Sequence, residues 1–291
     1  MRTNHQGVAL IQVLFMTAIM SIIAIQFVKT ARNQVSIAQG FNDRLQAELH
    51  LKTAKSRLLF TLFKYDANNL SDQVINGAKW NLRGTPFQLY EDVNVSVSSA
   101  TAFLSLVSAP DEYLIKVFLS VGVEESQARK IVNSIKDWID SDDVITANGA
   151  ENGFYKSLGM LTRNGTMQHI SELKVIRGMT PEIYQAVKSL FTIYTTISIN
   201  PMLTSERLDR AIFSENIAKQ LATAKKTQNF TENTWKGIVG SRQFQFIDLY
   251  PGSVFIVEMS ARFNDVVVTE RFDVKVKSQK SQAPISILTN Y

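Results

Sequence analysis

The sequence predicts an α+β protein: one long N-terminal helix, an antiparallel sheet assembled from segments far apart in the chain, and a large α-helical region inserted between them. Three patterns predict it. An uncharged apolar run, Val8 to Val28, continues without a break into an amphipathic helical pattern. Alternating apolar and polar residues mark strands near residues 87–97 and again after residue 244. Helical periodicity fills the stretch between.

The run from Val8 to Val28 contains no Asp, Glu, Lys or Arg. As a helix rising ~1.5 Å per residue it spans about 30 Å, the thickness of a bilayer's hydrocarbon core. It is too long for the apolar part of a secretory signal, and no clean small-residue cleavage site follows it. Ala31, Val35, Ala38, Leu45, Leu49, Leu51, Leu58, Leu59 and Leu62 then recur mostly at three- and four-residue steps, with Lys and Arg between them. One helix from about residue 8 to about residue 64 is the economical reading, with Gly40 its weak point. Charge does not fix orientation: Arg2 precedes the run, but Lys29 and Arg32 follow it closely.

The sheet signal begins near Trp80. Phe87–Tyr90 and Val93–Val97 alternate, with Gly84 and Pro86 as punctuation. At the other end Phe244–Ile247, Val254–Ala261 and Val266–Val276 read as three strands of a meander, separated by turns at Pro251-Gly252 and Asn264-Asp265. Val93–Val97 has no β neighbour in sequence and is expected to pair with that meander.

Composition bounds the function classes. Apolar residues make up 45% and charged residues 20%, ordinary for a globular protein, and the net charge of +5 does not call for nucleic acid. There is no cysteine, which removes disulfides and thiolate sites. His5, His50 and His169 match no ligand spacing. No nucleophile elbow, phosphate loop or histidine cluster is present, so no enzyme is expected.

The helical region holds a loose repeat. Leu119–Ile135 and Glu172–Val187 each read as helix, Gly, apolar residue and second helix, with turns at Gly122 and Gly178. Thr180-Pro181 is a strong helix start. This is a helix-hairpin-helix pattern, which serves either as a packing unit or as a DNA-backbone binder. Glu124 and Glu125 beside the first turn would repel phosphate. Between the copies runs an acidic stretch with Asp137, Asp140, Asp142, Asp143 and Glu151. Hard oxygen donors at this density suit Ca²⁺ better than transition metals, although the spacing is not that of an EF-hand. The plain alternative is a solvated turn.

The N-terminus resembles the type IV pilin and pseudopilin superfamily: a short polar leader ending in Gly7, then Val8-Ala9-Leu10-Ile11-Gln12-Val13-Leu14. Gln12 stands at the fifth mature position, where most of that superfamily has Glu. The K-type minor pseudopilins of type II secretion systems are the members that lack it. Asp137-Trp138-Ile139-Asp140-Ser141-Asp142, Gly149-Ala150-Glu151 and Tyr155 also resemble that family, and the resemblance reaches nearly the whole chain. Ile197-Ser198-Ile199-Asn200 keeps part of an Asn-rich family strand, whereas its counterpart around Val97–Leu106 has no Asn.

The resemblance implies a pilin-like fold with an inserted α-domain: leader 1–7, anchor and filament helix 8–64, β part 65–98, α-domain 99–240 and second β part 241–291. It implies cleavage between Gly7 and Val8 by a prepilin peptidase, methylation of the new terminus, and one or two Ca²⁺ sites. Asp140, Asp142 and Glu151 are the ligand candidates by motif position, with Asp143 a further one. It implies a single-pass protein of the bacterial inner membrane with a periplasmic C-terminal part, at the tip of the pseudopilus. Its partners would be other minor pseudopilins and secreted exoproteins, with no nucleic acid. The competing reading is a membrane-anchored helix-hairpin-helix protein that binds DNA.

Overall fold

A computed structural model describes residues 6–65, 70, 73–75, 77–90, 92–226, 231–240, 244, 246–277, 281 and 283–290. The leader residues Met1–His5 lie outside the described residues. Helix α1 runs unbroken from Gln6 to Lys64. Its apolar first half is exposed in the isolated chain, and the helix is long and apolar enough to cross a membrane.

The second half of α1 buries one stripe: Ala47, Leu51, Ala54, Leu58 and Leu62. These recur every three or four residues and so share a face. Leu45 and Leu49 lie off that face and are about half exposed, with Ile37, Phe41 and Phe60 also exposed. The buried stripe packs on an antiparallel sheet. The strands are β1 (Val74–Ile75), β2 (Ala78–Lys79), β3 (Phe87–Tyr90), β4 (Val93–Ser99), β5 (Leu104–Ser105), β6 (Phe191–Thr192), β7 (Val254–Phe263), β8 (Val266–Val276) and β9 (Ile285–Asn290). Five of them make the main sheet, in the order β3-β4-β7-β8-β9. Alternation of β4 and β7 puts Val93, Val95, Val97, Phe255 and Val257 beneath α1. Lys55 pairs with Glu270 and stands 4.2 Å from the Phe272 ring centroid, a polar clasp at the edge of this core.

The expected pairing of Val93–Val97 with the C-terminal strands is present: β4 lies along β7, with Val97 opposite Val257. Asn264, at φ 49°, turns β7 into β8. The meander differs from expectation at one end. Phe244 and Phe246–Ile247 are not a sheet strand; Ile247 makes a single bridge to Ile199. Phe246 has φ 64°, which breaks extended structure, and Phe244 packs against Phe213 and Trp235 in the helical body. The third C-terminal strand is instead β9, which follows Pro284.

Helices α2 (Asp111–Ser120), α3 (Glu125–Ile139), α4 (Asn152–Tyr155), α5 (Pro181–Val187), α6 (Glu206–Ile212), α7 (Glu215–Lys226) and α8 (Glu232–Val239) lie between β4 and β7 in the chain. Local side-chain caps start several of them. Glu124 accepts from the Ser126 amide, Thr180 from Ile183 and Ser205 from Leu208. Residues 170–175, the expected first helix of the second hairpin, form a 3₁₀ helix instead. The two hairpins share a second core built on Phe118, Ile131, Ile135, Leu173 and Val187.

β5 and β6 pair in parallel and tie the segments flanking the two hairpins together. Ser105, the last residue of β5, accepts from the Val107 and Ser108 amides through its hydroxyl. Asn200 accepts from Met202 and donates to the Leu249 carbonyl. A serine thus does locally, at the first position, what asparagine does at the second. Further on, buried Lys225 bonds Asp209 and the Thr204 carbonyl, so that α7 is fixed to α6 with both charges paired.

Candidate functional site

The geometry most in need of a ligand lies where α3 ends. Asp137 sits in the last turn of α3, fully buried. Asp140 is the residue that closes the helix, its amide donating to the Lys136 carbonyl at 2.8 Å. The chain then loops out and returns at Glu151, which precedes α4 and is 2% exposed. Carboxylate oxygens of Asp137, Asp140 and Glu151 lie within 4.8 Å of one another.

Hydrogen bonding leaves this cluster unsatisfied. Asp137 accepts from the Thr146 amide at 3.2 and 3.3 Å. Asp140 Oδ1 and both Glu151 carboxylate oxygens are buried with no hydrogen-bond partner of normal geometry. Buried polar atoms are nearly always paired, and an unpaired buried charge costs several kcal/mol. Burial pushes the Asp140 carboxyl above its usual range, and the negative charges of Asp142 and Asp137 push it further. Burial, then Asp137 and Asp140, do the same to Glu151. A divalent cation removes both problems at once: it supplies the missing electrostatic partner and fills the orphan lone pairs. Three carboxylates in an irregular loop are hard donors of the kind Ca²⁺ takes. The residues therefore fit such an ion.

Asp142 and Asp143 stand apart from the cluster. Both are exposed; Asp142 Oδ1 accepts from the Val144 amide at 2.8 Å, and Asp143 Oδ1 accepts from Asn152 Nδ2 at 2.6 Å. They hold the loop's shape. Asp137 joins Asp140 and Glu151 in their place, and its signal in the sequence is periodic. It lies on the buried face of α3 with Ser134, Ile135 and Trp138, where an acid is out of character.

The loop is built to bring these groups together. A Cβ on Gly149 would lie 2.0 Å from Asp137 Oδ2, so only glycine lets the backbone pass so close. Asn133 donates to the Ala147 carbonyl at 2.6 Å, and Arg177 to the Gly149 carbonyl at 2.8 Å. Trp138 stacks edge-on to Tyr155, with centroids 4.8 Å apart, and donates to Glu172, which Arg163 also holds. Burial pushes the Tyr155 hydroxyl up to about 12, and it stays protonated. Through Arg177 and Glu172 the loop is bonded to the second hairpin.

One hairpin turn is packed against its neighbour and the other is flanked by acids. Gly122 and Gly178 take φ 86° and 88°, as tight turns require. Gly178 is packed against α3: its carbonyl accepts from Gln127 at 2.9 Å, and a Cβ there would meet Ile131 at 3.1 Å. Glu124 and Glu125 follow the other turn. Elsewhere, Gly7, Val8 and Gln12 all lie in the first turns of α1, with Gln12 exposed.

Comparison with known proteins fits this architecture. The family described as type II secretion system (T2SS), protein K, matches residues 92–196, which hold β4, both hairpins and the acidic loop. A type II secretion system protein K of Klebsiella pneumoniae is 26% identical over 201 residues, 64% of this chain and 61% of that protein. A putative type II secretion system protein K of Escherichia coli K12 is 28% identical over 239 residues, 75% of this chain and 72% of that one. The Pectobacterium carotovorum protein K is 29% identical over 205 residues, 64% and 62% respectively. The match thus spans about three fifths of the length of the Klebsiella and Pectobacterium proteins. A chain in the crystal structure of the GspK-GspI-GspJ complex from enterotoxigenic Escherichia coli shares the fold, with TM-score 0.58 and 19% identity over 87% of this chain and 98% of that one.

Gly149→Ala is expected to lower stability by about 1–3 kcal/mol, because the new methyl must displace a buried carboxylate. Gly153→Ala is the control: a Cβ there meets nothing within 4 Å. Urea unfolding of the detergent-solubilised chain measures both. Equal small effects at the two sites would show that the loop does not need its close approach to Asp137.

Proposed function

We propose that this chain, which belongs to the type II secretion system protein K family, is a minor pseudopilin that starts and caps the pseudopilus at its tip. The observation that carries this reading is the division of α1. Its first half is a bare apolar cylinder, and its second half is built into a folded head. Such a helix can sit in a bilayer and then pack among other helices, while the bulky head obstructs addition above it. Gln12 agrees with that place. A carboxylate inside a bilayer is costly unless paired, and a subunit with none above it has no amine to pair with.

The proposed setting is the bacterial inner membrane, crossed once, with the head in the periplasm. Prepilin peptidase would cut between Gly7 and Val8. Partners would be other minor pseudopilins, as in the GspK-GspI-GspJ assembly of the solved neighbour, and the passengers would be secreted exoproteins. DNA binding is the weaker reading, since one hairpin turn is packed away and the other is acidic. In cells with active peptidase, mass spectrometry of the extracted chain is expected to show Val8 as the first residue, with or without a methyl group. An intact Met1 terminus would favour a plain signal anchor.

The exposed apolar stripe beyond the membrane run is the expected contact for partner helices. Ile37 and Phe41 are both 72% exposed and lie one turn apart. The pair Ile37→Asp/Phe41→Asp is expected to abolish co-purification with the other minor pseudopilins in detergent while leaving the melting curve of the head unchanged. Undiminished co-purification would move the interface elsewhere.

For the acidic loop the proposal is Ca²⁺, held by Asp137, Asp140 and Glu151. When bound, the ion would neutralise the three carboxylates and brace the loop against the second hairpin through Arg177 and Glu172. If the site is half-saturated at ~1 mM, a tenfold excess adds about 1.4 kcal/mol of stability. The melting midpoint of the full chain in detergent should therefore rise from EDTA to millimolar CaCl₂. Glu151→Gln should raise the midpoint in EDTA, by removing one repelling charge, and erase the response to Ca²⁺. Superimposable wild-type curves in the two buffers would leave the loop a solvated turn.

A further inference from the structure

The face of the sheet turned away from α1 is hollowed into a groove. A cavity of about 570 Å³ lies between it and the second hairpin, and another of about 400 Å³ continues it along the strands. The two share Ser96, Glu258 and Arg271, so they are parts of one channel. The floor belongs to β4, β7 and β8, two strand spacings or roughly 10 Å across, the width of one extended chain with its side chains. One wall is the hairpin, with His169, Tyr184 and Lys188. The other is the strip at Arg83-Gly84, pressed so close that a Cβ on Gly84 would lie 2.5 Å from Ser98 Oγ.

Two properties restrict what fits. Ser96, Ser98, Ser260 and Thr269 make the floor short and rich in hydroxyls, where a solvated sheet face more often carries long charged chains. A polypeptide backbone can come down on such a floor and find donors and acceptors. The charge is mixed but positive on balance. Arg83, Lys188 and Arg271, with His169, face Glu258 and Asp273, while Glu270, a third acid along the second cavity, is already paired with Lys55 of α1. The first two acids are engaged within the channel: Glu258 by Arg271 at 3.3 Å, and Asp273 by the Tyr194 hydroxyl at 2.5 Å. Acids set among the cations suit a peptide of mixed polarity rather than a phosphate backbone.

We propose that this groove binds an extended, carboxylate-bearing segment of a partner protein, laid along the strands with its acids toward Arg83, Lys188 and Arg271. Electrostatic complementarity selects the segment, and the hydroxyl floor serves its main chain. The site involves neither the apolar stripe of α1 nor the acidic loop, so it stands or falls independently of the filament and cation readings.

Fluorescence anisotropy with the detergent-solubilised full chain tests it. The probes are a labelled peptide of alternating Ser and Glu and one of the same length in Ser and Lys. The Ser-Glu peptide is expected to bind and the Ser-Lys peptide not to. Lys188→Glu should weaken binding about tenfold. Thr269→Trp, which fills the floor without changing charge, should weaken it several-fold, about fivefold or more. Lys219→Glu, on the exposed face of α7, should leave it unchanged. The proposal is overturned if the Ser-Glu peptide does not bind, if the Ser-Lys peptide binds as well, or if Lys219→Glu matches Lys188→Glu. It is equally overturned if Thr269→Trp, with an unchanged melting curve, has no effect.

Discussion

The contact between the second half of α1 and the inner face of the sheet holds the head onto its anchor. It is a seam of small and large residues: Ala47 and Ala54 let the helix approach, and Leu51, Leu58 and Leu62 fill the space over Val95, Val97 and Phe255. Close packing of this kind tolerates little change in volume. It also fixes how the helix is rotated. With those residues inward, Ile37, Phe41, Leu45 and Leu49 are left facing outward on the same unbroken helix. The burial that completes the head thus determines which stripe of the helix stays exposed.

The helical body is held by a different balance. Beside its apolar core, at the end of α3, it holds three clustered carboxylates, and Asp140 Oδ1 and both Glu151 oxygens have no hydrogen-bond partner of normal geometry among the described residues. Near α6 a largely buried pair is matched instead, Lys225 with Asp209. The ion pair needs nothing from outside, whereas the clustered acids repel one another. Gly149, Asn133 and Arg177 hold the loop in that geometry through bonds that do not touch the carboxylates themselves.

Much of this is legible in the sequence where one physical signal dominates. An uncharged run of membrane length, Gly residues at hairpin turns and alternation along β4 and parts of β7 and β8 each leave one economical reading. The signal fails where two environments share a pattern. Phe244–Ile247 alternates like a strand, but Phe244 serves an aromatic cluster with Phe213 and Trp235. Strand β9 is short, contains Ser and Thr, and follows a proline, so its pairing depends on β8 offering an edge. At the acidic loop, motif position nominates Asp142 as readily as Asp140 and Glu151, with Asp143 a further candidate. Helical phase distinguishes Asp137, because only a residue on the buried face of α3 can point into the body.

Strands β4 and β7 are direct neighbours, with Ser99 opposite Phe255, yet more than half the chain's length of helices separates them in sequence. In polymer terms the helical body is the loop of a very large hairpin. Loop closure is inexpensive to extend: each doubling of length costs only about 0.6 kcal/mol. Here even that cost is relieved, since β5 and β6 pair across the flanks of the two hairpins and the body folds on its own core. The sheet can therefore carry a head of almost any bulk at this corner without losing register. Size, shape and chemistry above the β4–β7 turn are free to vary, while the anchor and its seam stay as they are.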